Sequence, residues 1–332
     1  MKEAFILILA YPETVVEHAD ERYARIAYRF GIGNKTHIRA GHAALVLIKK
    51  TTGHLEYFDF GRYITPKGYG RVRGASTDFE LNLTIKAKIE HDVIRNLEKL
   101  LKFFATHPHL THGEGHLYAS VCNKVDYDAS KHFIRKLQNE GLIAYAAFKD
   151  RATNCARFVT DTLIASVTDK VIKSKLSKSK RFTPSTLDSV VWGSSDGMVY
   201  KVSEQADISY FKSSLKAVNK IMFLDKLKGY KSSTVGKLLP QENSVKNAQA
   251  QWLEGIGAGA WFELYLTDRK YVYRFRKIST NGRIVCNGEY REVTRNFDFS
   301  KSYRFVHYSN CLFFHIEQHG ERFRFEWLRH LF

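Results

Sequence analysis

The sequence predicts an α+β region followed by a small all-β region, and three observations carry that expectation. The runs Ala4 to Ala10 and Gly41 to Ile48 are apolar at consecutive positions, as in strands covered on both faces. Several later segments place their apolar residues at helical spacing, and from about Gln251 the pattern changes to short alternating strands separated by turn signals.

The elements follow in order. Ala4 to Ala10 ends at Tyr11-Pro12, is too short to span a membrane and lacks a small-residue cleavage site, so it reads as a buried strand and not a signal peptide. Glu17 to Phe30 has helical spacing of Tyr23, Ile26, Ala27 and Phe30. The Gly41 strand turns at Lys50-Thr51-Thr52-Gly53 and returns as Leu55 to Phe60. Gly61 to Gly74 reads as loop or sheet edge. Helices are expected over Lys86 to Ala105 and Asp128 to Glu140, the latter closed by Gly141. Between them, four histidines fall in the ten residues from His107 to His116, but Pro108, Gly113 and Gly115 break any regular ligand geometry. A polar loop is the expectation there, with no metal site. The segment Thr153 to Ala165 opens with a good capping residue and reads as a helix with Cys155 in its first turn, and Leu187 to Lys237 is mixed. The C-terminal strands are expected at 261–266, 271–277, 283–289, 303–307, 311–318 and 322–327, as a barrel or meander. The expected divisions are 1–195, a connecting segment 196–250, and 251–332.

The chain has 52 Lys+Arg against 34 Asp+Glu, a net charge of +18 that raises the question of an anionic partner. The basic residues are spread along the chain, and the densest run, Lys170 to Arg181, reads as a solvated helix end; no specific nucleic-acid partner is expected. Four cysteines without CxxC spacing suggest neither a disulfide scaffold nor zinc, and point to a reduced, cytoplasmic setting with no cofactor.

Two residues carry chemistry. Cys155 sits in the first turn of its helix, where unpaired N–H groups and the helix dipole favour a thiolate. His42 follows a glycine at the start of an apolar strand, an odd place for a polar side chain unless it is paired. A third residue to orient the histidine would come from the neighbouring strand: His54, Glu56 or Asp59. A turn at Thr51-Thr52 brings Asp59 nearest His42. Tyr145, Arg73 and Arg157 are candidates to contact substrate, and Arg71 and Asp78 can shape the pocket. A core cysteine and a merely hydrogen-bonded histidine are the plain alternatives.

Gly41-His42-Ala43-Ala44-Leu45 and Asn154-Cys155-Ala156-Arg157-Phe158-Val159, with Tyr145-Ala146-Ala147-Phe148 and Phe182-Thr183-Pro184-Ser185, resemble the circularly permuted branch of the papain-like fold. That branch includes NlpC-related permuted peptidases and lecithin-retinol acyltransferase-like enzymes, and the match covers roughly 1–190, closest to uncharacterised bacterial members. The resemblance implies an antiparallel sheet packed with helices and a nucleophile that follows its histidine in the chain. The expected function is a cysteine hydrolase or acyltransferase acting on a peptide, amide or ester through a Cys155 thioester, without metal or cofactor. The alternatives are an inactive papain-like scaffold whose β domain binds a partner, and a protein that binds nucleic acid or anionic membrane through its charge.

Overall fold

The computed structural model describes residues 3–18, 28–181, 183–230 and 236–331. The expected Glu17 to Phe30 helix lies mostly outside them; at its two ends are a short strand and a 3-10 turn at Tyr28–Phe30.

In chain order the first strands are β1 (Ala4–Tyr11), β2 (Val15–Glu17), β3 (His37–Arg39), β4 (His42–Lys49), β5 (Leu55–Gly61), β6 (Tyr69–Arg73), β7 (Ile89–Glu90) and β8 (Val93–Ile94). There follow α1 (Leu97–Thr106), α2 (Pro108–Thr111), β9 (Leu117–Val125), α3 (Tyr127–Glu140), β10 (Ile143–Ala144), α4 (Cys155–Ser166), α5 (Lys170–Ser179) and α6 (Thr186–Gly193). Then come β11 (Tyr200–Val202), β12 (Ile208–Tyr210) and α7 (Leu215–Phe223). The C-terminal strands are β13 (Gln251–Gly255), β14 (Ala258–Leu266), β15 (Val272–Ser279), β16 (Ile284–Glu292), β17 (Arg304–Val306), β18 (Phe313–Gln318) and β19 (Glu321–His330).

An eight-stranded antiparallel sheet, in the order β10-β6-β5-β4-β1-β9-β11-β12, forms the first region. Its central strands are apolar throughout because both faces are covered. Ile6, Ile8, Leu45 and Leu47 pack with Phe158 and Leu163 of α4 and Val190 of α6. Leu7, Leu9, Val46 and Ile48 pack with Leu100, Leu101 and Phe104 of α1. Helix-sheet-helix layering therefore accounts for runs that would otherwise mark a parallel sheet.

Three local expectations are corrected. Lys86 to Ala105 is half hairpin: β7 and β8 pair through a turn at His91 and Asp92, both at positive φ, and only Leu97 onward is helical. The Asn96 side chain holds that hairpin, accepting from Lys88 N and donating to Lys86 O, and β-branched Ile89, Val93 and Ile94 suit strands. The histidine segment contains α2, with Pro108 in its first turn and His112 ending it in the left-handed region. The first sheet does not stop at 195, since Lys201 pairs with Tyr118 and β12 extends the edge to Tyr210.

The C-terminal region is a nearly closed seven-stranded antiparallel sheet, β13-β14-β15-β16-β19-β18-β17. Its interior is aromatic, built on Phe262, Phe275, Phe305, Phe314 and Phe325 with Tyr273 and Tyr290. The seam between β13 and β17 is bridged by side chains: Gln251 donates to Tyr303 O and accepts from Phe305 N, and His307 Nε2 meets Glu254 O at 2.6 Å.

The two regions are in direct contact. Cys311 N donates to Thr77 O at 2.9 Å, and Gly255 lies so close to Ile64 that a Cβ there would stand 2.4 Å from the Ile64 nitrogen.

Candidate active site

His42 opens β4, and the β4–β5 register pairs Ala44 with Asp59, so His42 lies two residues farther along the same sheet face and diagonal to that carboxylate. His42 Nε2 is 3.2 Å from Asp59 Oδ2. Cys155 comes to the same end of β4 from the opposite layer. Asn154 has extended backbone and accepts from Arg157 N at 2.9 Å, which starts α4 with the thiol in its first turn. The sulfur is 4.0 Å from Gly41 O and within hydrogen-bonding reach of the His42 ring.

Gly41 makes this approach possible. Its φ is +73°, and a Cβ would stand 2.8 Å from Thr186 Oγ1 and 2.9 Å from Pro12 Cα. A side chain here would strain the backbone and displace the turn that sets His42 beneath the sulfur.

Behind the histidine is a buried ionic and phenolic network. Asp59 is 0% exposed, and it accepts from Arg73 Nε at 2.9 Å, Arg73 Nη2 at 2.6 Å, Tyr57 at 3.0 Å and Tyr63 at 2.9 Å. Burial alone would raise the Asp59 pKa, but the Arg73 charge and the bonds from His42 and Arg73 hold it far below the usual carboxylate range. Burial likewise pulls His42 down, yet the bond to Asp59 and the interaction with Cys155 lift its pKa to about 9. Asp59 and the neighbouring Cys155 thus favour the charged form of the His42 ring.

Around this centre runs a cleft of about 690 Å³ bounded by both regions. His42, Cys155, Tyr63, His112 and Tyr145 line it from the first region, and Gly257, Lys277 and Arg283 from the second. Tyr145 stacks on Phe60 with ring centroids 6.0 Å apart and lies beneath the Arg62 guanidinium.

The structure brings His42, Asp59 and Cys155 together. His54 is exposed beside the turn, and Glu56 projects away from the histidine to accept from Tyr127 and pair with Lys131. Arg73 borders the cleft, but its guanidinium is 2% exposed and engaged by Asp59 and Leu110 O; it supports the site instead of reaching out of it. Arg157 is half-buried and is not among the residues lining the cleft, because α4 packs inside the helical layer instead of presenting a free face.

Sequence reading missed Tyr63, whose hydroxyl reaches both Asp59 and His42, the latter at 3.4 Å, and His112, whose pKa burial and the Arg73 charge depress to about 3. A phenol four residues after a buried acid was the available signal for Tyr63; nothing singled out His112 among its neighbours. Among the described residues no group of three or more His, Cys, Asp or Glu could hold a metal ion, and no helix is long and apolar enough to cross a membrane.

Comparison with known proteins locates the chain. No curated protein matches it. A solved crystal structure of the Type VI secretion system effector TseH is 16% identical over 64% of this chain and 99% of that one, with a TM-score of 0.40, too distant a likeness to transfer geometry. The family described as DUF6695 C-terminal domain matches residues 250–328, which is the barrel. The family described as Type VI secretion system effector TseH-like matches residues 6–172, half of the chain and the part that contains His42, Asp59 and Cys155. The chain belongs to the TseH-like family of Type VI secretion system effectors.

Proposed function

We propose that this chain is a cysteine hydrolase or acyltransferase of papain-like type, acting on an amide, peptide or ester through a thioester on Cys155. The observation that carries the reading is the convergence of a helix-start thiol, a strand-start imidazole and a buried carboxylate at the wall of one cleft. The order of histidine before cysteine in the chain is that of the permuted papain-like branch.

In the proposed reaction the Cys155 thiolate attacks the substrate carbonyl carbon, and the carbonyl π pair moves to oxygen. The Cys155 N–H, at a helix start, is placed to donate to that oxyanion. As the tetrahedral intermediate collapses, the His42 imidazolium gives its proton to the departing amine or alcohol, and the acyl group stays on sulfur. His42, now neutral, takes a proton from water or from an acyl acceptor as its oxygen or nitrogen attacks the thioester, and the product leaves as thiolate and imidazolium are restored. Asp59 holds the ring in position and favours its charged form, without itself accepting the proton.

An effector of a secretion system leaves the cell that makes it, so cytoplasm describes the place of synthesis and not the site of action.

The test is alkylation with iodoacetamide at pH 6, read by peptide mass. Cys155 is expected to react far faster than Cys122, Cys286 and Cys311, which are all buried, and Cys155→Ser to remove the fast phase. Four equally slow thiols would leave the scaffold reading instead.

A further inference from the structure

We infer that Lys277 of the C-terminal barrel is a positioning residue for His42, acting through Asp78, Arg71 and Tyr63, so that the barrel holds the catalytic base in register. The inference rests on the proposed cysteine chemistry.

Lys277 is out of place as a barrel residue. On β15 it follows Tyr273 and Phe275 on the core-facing alternation, and it is 5% exposed. A lysine there loses its hydration unless an anion meets it, and its Nζ lies 3.5 Å from Asp78, which belongs to the other region. Glu80 and Cys311 also face the ammonium, and with Asp78 they outweigh the effect of burial and of Arg71, raising its pKa.

From Asp78 the connections lead to the histidine without a gap. Asp78 takes Arg71 in a two-pronged pair, both bonds 2.6 Å, and accepts from Thr77 Oγ1 at 2.8 Å. The same Arg71 donates through Nε to the Tyr63 carbonyl at 2.9 Å. The Tyr63 hydroxyl donates to the Asp59 oxygen that His42 contacts, and its ring stands edge-on to the imidazole. All of these side chains are buried. Tyr63 lies two residues past the end of β5, and the Arg71 bond to its carbonyl fixes its backbone while Asp59 holds its hydroxyl.

A lysine serving only to dock the barrel would have needed a partner anywhere on the contact. Instead it meets the one carboxylate that fixes the arginine beneath Tyr63, and the neighbouring Cys311 N–H bonds the carbonyl of Thr77, adjacent to Asp78. These two bonds from the barrel thus brace the 77–78 turn.

The experiment is Lys277→Met in the full chain, with the iodoacetamide rate of Cys155 followed from pH 4 to 11. His42 faces Asp59, Tyr63, Cys155 and His112, with Arg73 behind Asp59, and its deprotonation in the unaltered chain sets an upper inflection near pH 9. Lys277→Met is expected to loosen Tyr63, disturb the Tyr63–Asp59 and Asp59–His42 contacts, and move that inflection away from the parent position. Lys277→Arg, which keeps the cation, is expected to retain the parent inflection. If the methionine chain does not fold, Lys277→Gln keeps a donor without charge and is expected to shift the inflection in the same direction. An upper inflection identical in the parent and the neutral variant, with Cys155 still fast, would overturn the positioning role alone. A parent Cys155 no faster than the other thiols would instead bring down the cysteine chemistry on which the role rests. A purely docking lysine predicts a lower melting temperature with an unmoved inflection.

Discussion

The two regions bury different materials at their centres. Around His42 the buried groups are charged or phenolic: Asp59, Arg71, Arg73, Asp78, Tyr57 and Tyr63, each with a named partner. Inside the barrel they are hydrocarbon rings, with Phe275, Phe314 and Phe325 stacked at centroid spacings of 4.3 and 4.6 Å. An aromatic core is redundant, since each ring touches several others and the loss of one leaves the rest packed. An ionic network is not redundant, because removal of one member strands a charge that has no route to water. The aromatic arrangement stores stability, and the ionic one fixes geometry.

That contrast is broken most severely at Arg73. Arg73→Met leaves Asp59 buried with His42 as its only cationic partner and is expected to lower unfolding free energy by about 3–5 kcal/mol in urea titration. A loss below about 1 kcal/mol would mean that water already reaches the carboxylate.

The next test uses pH. The folded His42 pKa is raised above its ordinary 6.5 to about 9, so its stabilisation is complete below pH 6.5 and is lost as pH rises to 9. The melting temperature should fall across that window. Asp59→Asn removes the anion that holds the imidazolium and should flatten the fall and lower the upper limb of the activity profile; an unchanged slope would separate His42 from Asp59 energetically.

In the barrel, Phe314→Leu is expected to cost about 1–2 kcal/mol, since neighbouring rings can close part of the gap, with the alkylation profile of Cys155 unchanged. The smallest effect belongs to the exposed Arg304–Glu317 pair, where Arg304→Ala should stay within about 0.5 kcal/mol. A larger loss there would show that solvent screening is weaker on the barrel surface than its exposure implies.

The same contrast explains what could be read from sequence. Apolar runs, alternation and turn chemistry placed β4, β5 and the barrel strands other than β13, and a turn at Thr51-Thr52 was enough to bring Asp59 toward His42, because strand register is a local property. Capping chemistry at the head of the Thr153 segment likewise marked a helix start, and the structure makes Asn154 the cap. What stayed hidden depends on distant segments. Arg73 looked available to a substrate because nothing local shows that Asp59 takes its guanidinium. Arg157 likewise looked available to a substrate because one helix cannot tell how many neighbours cover it. Lys86 to Ala105 has apolar residues frequent enough to imitate a helix, and only the reversed φ of His91 and Asp92 breaks it. Lys277 did leave a trace: a lysine next after Tyr273 and Phe275 on one strand face signals an acid from elsewhere.

The barrel seam has a consequence of its own. Where other neighbouring strands are laced by rows of main-chain bonds, β13 and β17 are joined through the Gln251 amide and the His307 ring. A cylinder buttoned at two points opens there before it opens anywhere else. Amide protons of Arg304 to Val306 should therefore exchange with deuterium well ahead of those in β15, and any partner that adds a strand to this barrel would enter by that gap.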